Sequence, residues 1–154
     1  MDSIFKTNKE HLLPVAHNMM PETLVSLGLK NAISDFCTDL DKVNPMSIIF
    51  GFYGKFERID SNLEINGYRI IQELVNNSIK HSEAKELVVQ MLQEPTLLCF
   101  IVADNGKEFD LKDIGQKQSV GLNSIKSRVT SFNGQWEINS NIDKGTEVTV
   151  QFTL

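Results

Sequence analysis

Between Ile71 and His81 the sequence sets a carboxylate, two amides, an amine and an imidazole along a stretch of helical period, Ile-Gln-Glu-Leu-Val-Asn-Asn-Ser-Ile-Lys-His. On a helix Glu73, Asn77 and Lys80 share one narrow stripe, while Ile71, Leu74, Val75 and Ile79 occupy the opposite arc and can face a core. A carboxylate one turn before an amide, with a cation one turn later, suits a site for a hard metal ion and a polyphosphate. The amide oxygen ligates, the amine neutralises and the carboxylate takes a proton. A solvated face carrying a Glu and a Lys is the plain alternative, and on this helix alone it is the favoured reading.

The elements that must position this stripe are legible on either side of it. The apolar run Leu97 to Ala103 reads as a buried strand and leads into Asp104-Asn105-Gly106-Lys107-Glu108-Phe109-Asp110, an acid at a strand end beside a glycine turn. Val120-Gly121-Leu122 opens a helical stretch to Phe132, and Lys144-Gly145-Thr146 precedes the alternating strand Glu147 to Leu154. Upstream, residues 1–20 read as a helix ending before Pro21, and Pro21-Glu22 opens a second helix through about Leu40. Met46 to Gly54 reads as a strand, and Ser61 or Asn62 can cap the long helix that ends near Ser82. Lys85 to Gln93 and Leu97 to Ala103 form a hairpin around Glu94-Pro95-Thr96, and Gln135 to Asn139 pairs with the last strand. Helices on one face of a mixed sheet make a two-layer α/β sandwich. Phe50, Phe52, Leu74, Val88, Phe100, Ile125, Trp136 and Phe152 are expected to pack its interior.

A chain of 154 residues with 41% hydrophobic content can bury a real core, and no second full domain fits. The expected division is a helical segment over 1–44 and a main unit over 45–154. A net charge of -5, with no cluster of Lys and Arg, argues against a nucleic-acid or anionic-membrane surface. There is no apolar run long enough to span a bilayer and no signal peptide, which points to a cytoplasmic segment and leaves membrane attachment of a longer parent open. Cys37 and Cys99 lie in apolar contexts and read as buried free thiols.

In its order of helix, acid-glycine turn, glycine turn and Gly-Thr strand, the stretch 45–154 resembles the ATP-binding domain of the sensor histidine kinases. These belong to the GHKL (Bergerat) superfamily with gyrase, heat-shock protein ninety and MutL. The segment Ala16-His17-Asn18-Met19-Met20-Pro21-Glu22-Thr23-Leu24, with Leu27-Gly28-Leu29, looks like the junction that follows the dimerisation helices in kinases pairing with helix-turn-helix response regulators. The resemblance implies ATP and Mg2+ as cofactors. It implies as partners a histidine on a dimerisation helix of the parent kinase and a response regulator, with a homodimer in the full-length protein. His11-Leu12 and His17-Asn18 do not match the phosphate-accepting His-acid signature, so the acceptor is expected outside this chain.

Carried over by motif, Glu73 is the candidate general base and Asn77 the magnesium ligand. Lys80 and His81 contact phosphates, and for His81 a structural hydrogen bond is an equal alternative. Asp104 accepts from the exocyclic amine of adenine, its alternative being a turn cap. Gly106 lets the backbone pass close to the base, and Thr146 places a hydroxyl near Asp104. Gly121 and Leu122 direct N–H groups of a helix start at the phosphates, and residues between Asp110 and Ser119 form a lid. Two positions depart from the family pattern: Glu108 and Ser119 stand where glycines are usual. The leading reading is a protein histidine kinase domain that transfers the γ-phosphoryl group. The alternative is a degenerate domain of the same fold acting as a binding or regulatory module.

Overall fold

The computed structural model describes residues 20–106, 119–141 and 144–154. The expected helix over 1–20, His11, His17, Lys107, Glu108 and the expected lid up to residue 118 lie outside them. The described elements run α1 (Glu22–Leu27), α2 (Leu29–Val43), β1 (Ser47–Gly54), α3 (Ser61–His81), β2 (Glu86–Glu94), β3 (Leu97–Asp104), α4 (Ser119–Ser131), β4 (Gln135–Asn141) and β5 (Gly145–Thr153). The strand order is β1-β2-β3-β5-β4, with β1 and β2 parallel and the other pairs antiparallel. Helices and sheet form the two layers that the hydrophobic pattern predicts.

Period two sorts the strands. Leu87, Val89 and Met91 of β2, Leu98, Phe100 and Val102 of β3, and Val148, Val150 and Phe152 of β5 enter the core shared with the helices. Burying each such side chain contributes about 1.5–3 kcal/mol. Leu74, Phe100, Ile125 and Phe152 belong to that core as expected, with Phe50, Phe52 and Trp136 packed half-buried at its margin. Val88 does not. It pairs with Ile49 and Ala103 on the opposite face, because every second residue of β2 points away from the helices.

The helical layer differs from the expected one in two places. One helix from Glu22 to Leu40 becomes two, broken at Gly28, whose φ is +92° and whose N–H donates to the carbonyls of Thr23 and Leu24. A side chain there would be strained by that φ and would meet Phe56 and Arg58 at under 3 Å, so only glycine allows the turn. The second difference is the start of α3, which is capped by Asp60 rather than by Ser61 or Asn62. One Asp60 carboxylate oxygen accepts from Asn62 N at 3.1 Å and Leu63 N at 3.2 Å, adding a charge that favours the positive helix end.

Helices α1 and α2 contribute Leu24, Leu29, Ala32, Ile33 and Cys37 to the core beneath the sheet. Burial pushes the Cys37 thiol up to about 12, and both cysteines are free and buried, as expected from their apolar neighbours. Arg58 adds a polar latch. Its Nε and Nη2 donate to the two oxygens of Glu64 at 3.0 and 2.9 Å, and Nη2 also donates to the Val25 carbonyl at 3.2 Å. Glu64 is only 2% exposed. Arg58→Ala strands that carboxylate without its counter-charge and frees the end of α1. The expected result is a thermal midpoint lower by several degrees and faster proteolysis after Leu27, with Arg58→Lys intermediate because it keeps the charge but loses the fork.

Candidate functional site

Helix α3 lies along the sheet because Gly67 permits it: a Cβ there would stand 3.1 Å from Phe100 and 3.2 Å from Leu29. This close approach directs Ile70, Ile71, Leu74, Val75 and Ser78 into the interior. Asn77, one position before Ser78, is half-buried at the lip of a small cleft that opens to solvent. The cleft is lined by Leu74, Asn77 and Ser78 of α3, Asp104 of β3, Leu122 of α4 and Thr146 of β5, among others. The cleft is mostly apolar with a few convergent polar groups, the make-up of a small-molecule site.

Asp104 is the best-defined polar group in it. The last residue of β3 and 8% exposed, it accepts from Ser78 Oγ at 3.1 Å on one oxygen and from Gly106 N at 3.0 Å on the other. Two features fix the turn behind it. Asn105 Oδ1 accepts from the N–H groups of Lys85 and Glu86, both at 2.9 Å, tying the turn to the start of β2. Gly106 packs directly on the Ser82 carbonyl, where a Cβ would fall at 2.1 Å. Ser82 closes the arrangement, donating to the Ser78 carbonyl at 2.6 Å and accepting from Ala84 N at 3.1 Å. Thr146 is the register partner of Asp104 on β5, and its hydroxyl is 2.9 Å from that of Ser140.

The structure thus brings Asn77, Asp104, Leu122 and Thr146 to one cleft, with Gly106 in the turn beside it. Lys80 and His81 are exposed in the last turn of α3 and do not line the cleft. Glu73 is half-buried one turn before Asn77 on the outward side of the same helix. Its charge reaches the Arg128 guanidinium, and Arg69 precedes it by one helical turn. Burial and Arg69 push Arg128 below its ordinary range while Glu73 pulls it back, and Arg128 Nη1 donates to Asn66 Oδ1 at 2.9 Å. Gly121 sits in the first turn of α4, beside Leu122.

Ser78 and Ser82 escaped the sequence reading, since a serine within a helix reads as filler. Their spacing of four inside an otherwise apolar arc is the signal that was present. The Ser78 hydroxyl holds the Asp104 carboxylate aimed into the cleft. Ser78→Ala is expected to weaken a ligand that binds through Asp104 by about fivefold to tenfold, with little change in stability, read by calorimetric titration.

Asn77 carries no hydrogen bond among the described residues, so its amide oxygen is free to ligate. Those residues include no group of three or more His, Cys, Asp or Glu side chains that could hold a metal alone. One neutral oxygen fits a hard cation shared with ligand phosphates rather than a closed protein site.

The family model described as histidine kinase-, DNA gyrase B-, and HSP90-like ATPase matches residues 63–154. The chain is 31% identical over 153 residues to the sensor histidine kinase LiaS of Bacillus subtilis, covering 94% of this chain and 42% of that protein. It is 32% identical over 139 residues to the histidine-protein kinase/phosphatase DegS of the same organism, covering 87% and 36%. The chain therefore spans less than half the length of these curated relatives. Full-length ShkA solved in complex with AMPPNP has the same fold, with a TM-score of 0.66 at 15% identity over 81% of this chain and 29% of that one. The histidine kinase domain from the Erythrobacter litoralis EL346 blue-light activated histidine kinase gives 0.65 at 14% identity, covering 80% and 64%. With the acid-glycine turn, the Asn-bearing helix and the mixed sheet in one arrangement, the chain belongs to the family of histidine kinase-, DNA gyrase B- and HSP90-like ATPases.

Proposed function

We propose that this chain is the ATP-binding catalytic part of a sensor histidine kinase. It transfers the γ-phosphoryl group of Mg-ATP to a histidine on a dimerisation helix, from which a response regulator takes it. The observation that carries the reading is the buried Asp104 carboxylate, held by Ser78 and Gly106 at the wall of a mostly apolar cleft. Adenine offers an exocyclic amine that such an acceptor selects, whereas guanine presents a carbonyl at that position and is repelled. The Thr146 hydroxyl, paired with Asp104 across the strands, supplies a second polar contact near the base.

Phosphates then extend towards the lip. Asn77 would hold Mg2+, which supplies charge neutralisation of the phosphates when bound. Lys80 and His81, one turn further on, place positive charge and N–H donors within reach of a long anion. Gly121 and Leu122 offer N–H groups at the start of a helix thirteen residues long. Glu73 stands one turn from Asn77, where a carboxylate can take the proton of the attacking imidazole. Residues 1–44 would form the junction with the dimerisation region and 45–154 the catalytic unit, with α1 and α2 seated on the latter's core.

No helix among the described residues is long and apolar enough to cross a membrane. A cytoplasmic location is the proposal that suits ATP and a response regulator. The function is tested by incubating the chain with radiolabelled Mg-ATP and a dimerisation-helix protein from a kinase of this type. Acid-labile label on the supplied histidine is expected, and none should appear when ATP is replaced by GTP. Tight ATP binding without any transfer would leave a regulatory module.

A further inference from the structure

Strand β1 is an edge of the sheet, and no described strand pairs with its outer side. From Ile48 to Gly54 it contains no charge and no proline, the residues with which natural edges avoid pairing. Ser47 N donates to Lys85 O and Ser47 pairs with Glu86, so the main-chain groups of Ser47, Ile49, Gly51 and Tyr53 point to β2. Those of Phe50 and Phe52 therefore point outwards, and no hydrogen bond among the described residues takes them. The neighbouring outward group, Ile48 N, donates to Asp41 Oδ1 at 2.8 Å. On the face away from the helices, Ile49 is 49% and Tyr53 54% exposed.

The strand also reads nearly the same in both directions about Gly51: Ile49-Phe50-Gly51-Phe52-Tyr53. We propose that β1 is an interaction surface for a second copy of this chain, the two strands pairing antiparallel about a two-fold axis through Gly51. In that register Phe50 of one copy opposes Phe52 of the other, forming about four main-chain hydrogen bonds from groups otherwise left to water. Ile49 lies beside Tyr53 of the second copy, twice, as β-branched on aromatic pairs. The ends match in charge. Ile48 falls opposite Gly54 of the second copy, so Asp41, already on Ile48 N, meets the Lys55 that follows that Gly54; both side chains are exposed in the single chain. An unrelated strand could use the same backbone groups but would not supply both apolar pairs and both charge pairs, which is why the occupant is a copy of this chain.

The interface is independent of the nucleotide reading. A disulfide trap in the full chain tests its register. Ile49→Cys and Tyr53→Cys each alter an exposed side chain, and circular dichroism confirms that both variants fold. In the proposed pairing, residue 49 of one copy opposes residue 53 of the other, whereas the two copies of residue 49 stand about 13 Å apart, beyond disulfide reach. An equal mixture of the two variants under a mild oxidant is therefore expected to give about tenfold more cross-linked dimer than either variant alone. Wild type, whose cysteines are buried, gives the background. In light scattering the concentrated chain is expected to move from 17.4 kDa towards twice that mass, and Ile49→Lys with Tyr53→Lys to reverse the shift. A mixture that cross-links no more than the single variants overturns the proposal, whatever mass light scattering returns.

Discussion

Replacing Glu73 with glutamine is expected to lower the rate of phosphoryl transfer by about 10²–10⁴-fold while leaving ATP affinity nearly unchanged. Glutamine keeps the size and the hydrogen-bonding shape but cannot take a proton. Glu73 does not line the cleft, so the bound nucleotide loses no contact. Single-turnover transfer to a supplied dimerisation helix, measured beside a calorimetric ATP titration, separates the two quantities. A matched fall in affinity and rate would mean that Glu73 binds rather than reacts.

Gly145→Ala is expected to be among the most damaging single methyl groups at the described glycines. Gly145 has φ +84°, and a Cβ on it would fall 1.9 Å from the Asp104 carbonyl. Both the left-handed backbone and the contact with main chain resist relief, since neither neighbour is the mobile end of a side chain. A cost of about 3 kcal/mol is expected, seen as a thermal midpoint lower by roughly 10 °C. The strain falls on Asp104, the residue proposed to recognise the base, because Gly145 lies against its carbonyl and Thr146 is its register partner. ATP affinity should therefore drop even below the melting range. Gly51→Ala is a fair control, since its Cβ would meet only the Tyr53 side chain, at 3.3 Å and beyond.

Much of this arrangement could be read from the residues alone, where pattern and structure answer to the same local physics. Helix α3 and the β2–β3 hairpin follow from periodicity and from Pro95 at the turn, and Asp104 stands out as an acid at a strand end. The misses are non-local. Gly28 has helix-forming residues on both sides, and only its contact with Phe56 and Arg58 requires a break there. Asp60, Ser61 and Asn62 are all good caps, and nothing in their order ranks them. Val88 belongs to a run that is apolar at both parities, and the placement of helices on a single face decides which parity is buried. Glu64 reads as an acid suited to a helix start; its burial makes sense only with Arg58, six residues earlier, folded back on it. Ser78 gains its role from Asp104, 26 residues downstream, brought near by the packing of α3 on β3.

An adenine site at Asp104 is tested by calorimetric titration of ATP with magnesium into the chain, beside Asp104→Ala and a GTP control. Saturable binding of ATP, a roughly 10–100-fold loss of affinity in Asp104→Ala, and no binding of GTP are expected. Absence of heat at millimolar ATP from a chain shown to be folded would contradict it, as would equal affinity in wild type and Asp104→Ala.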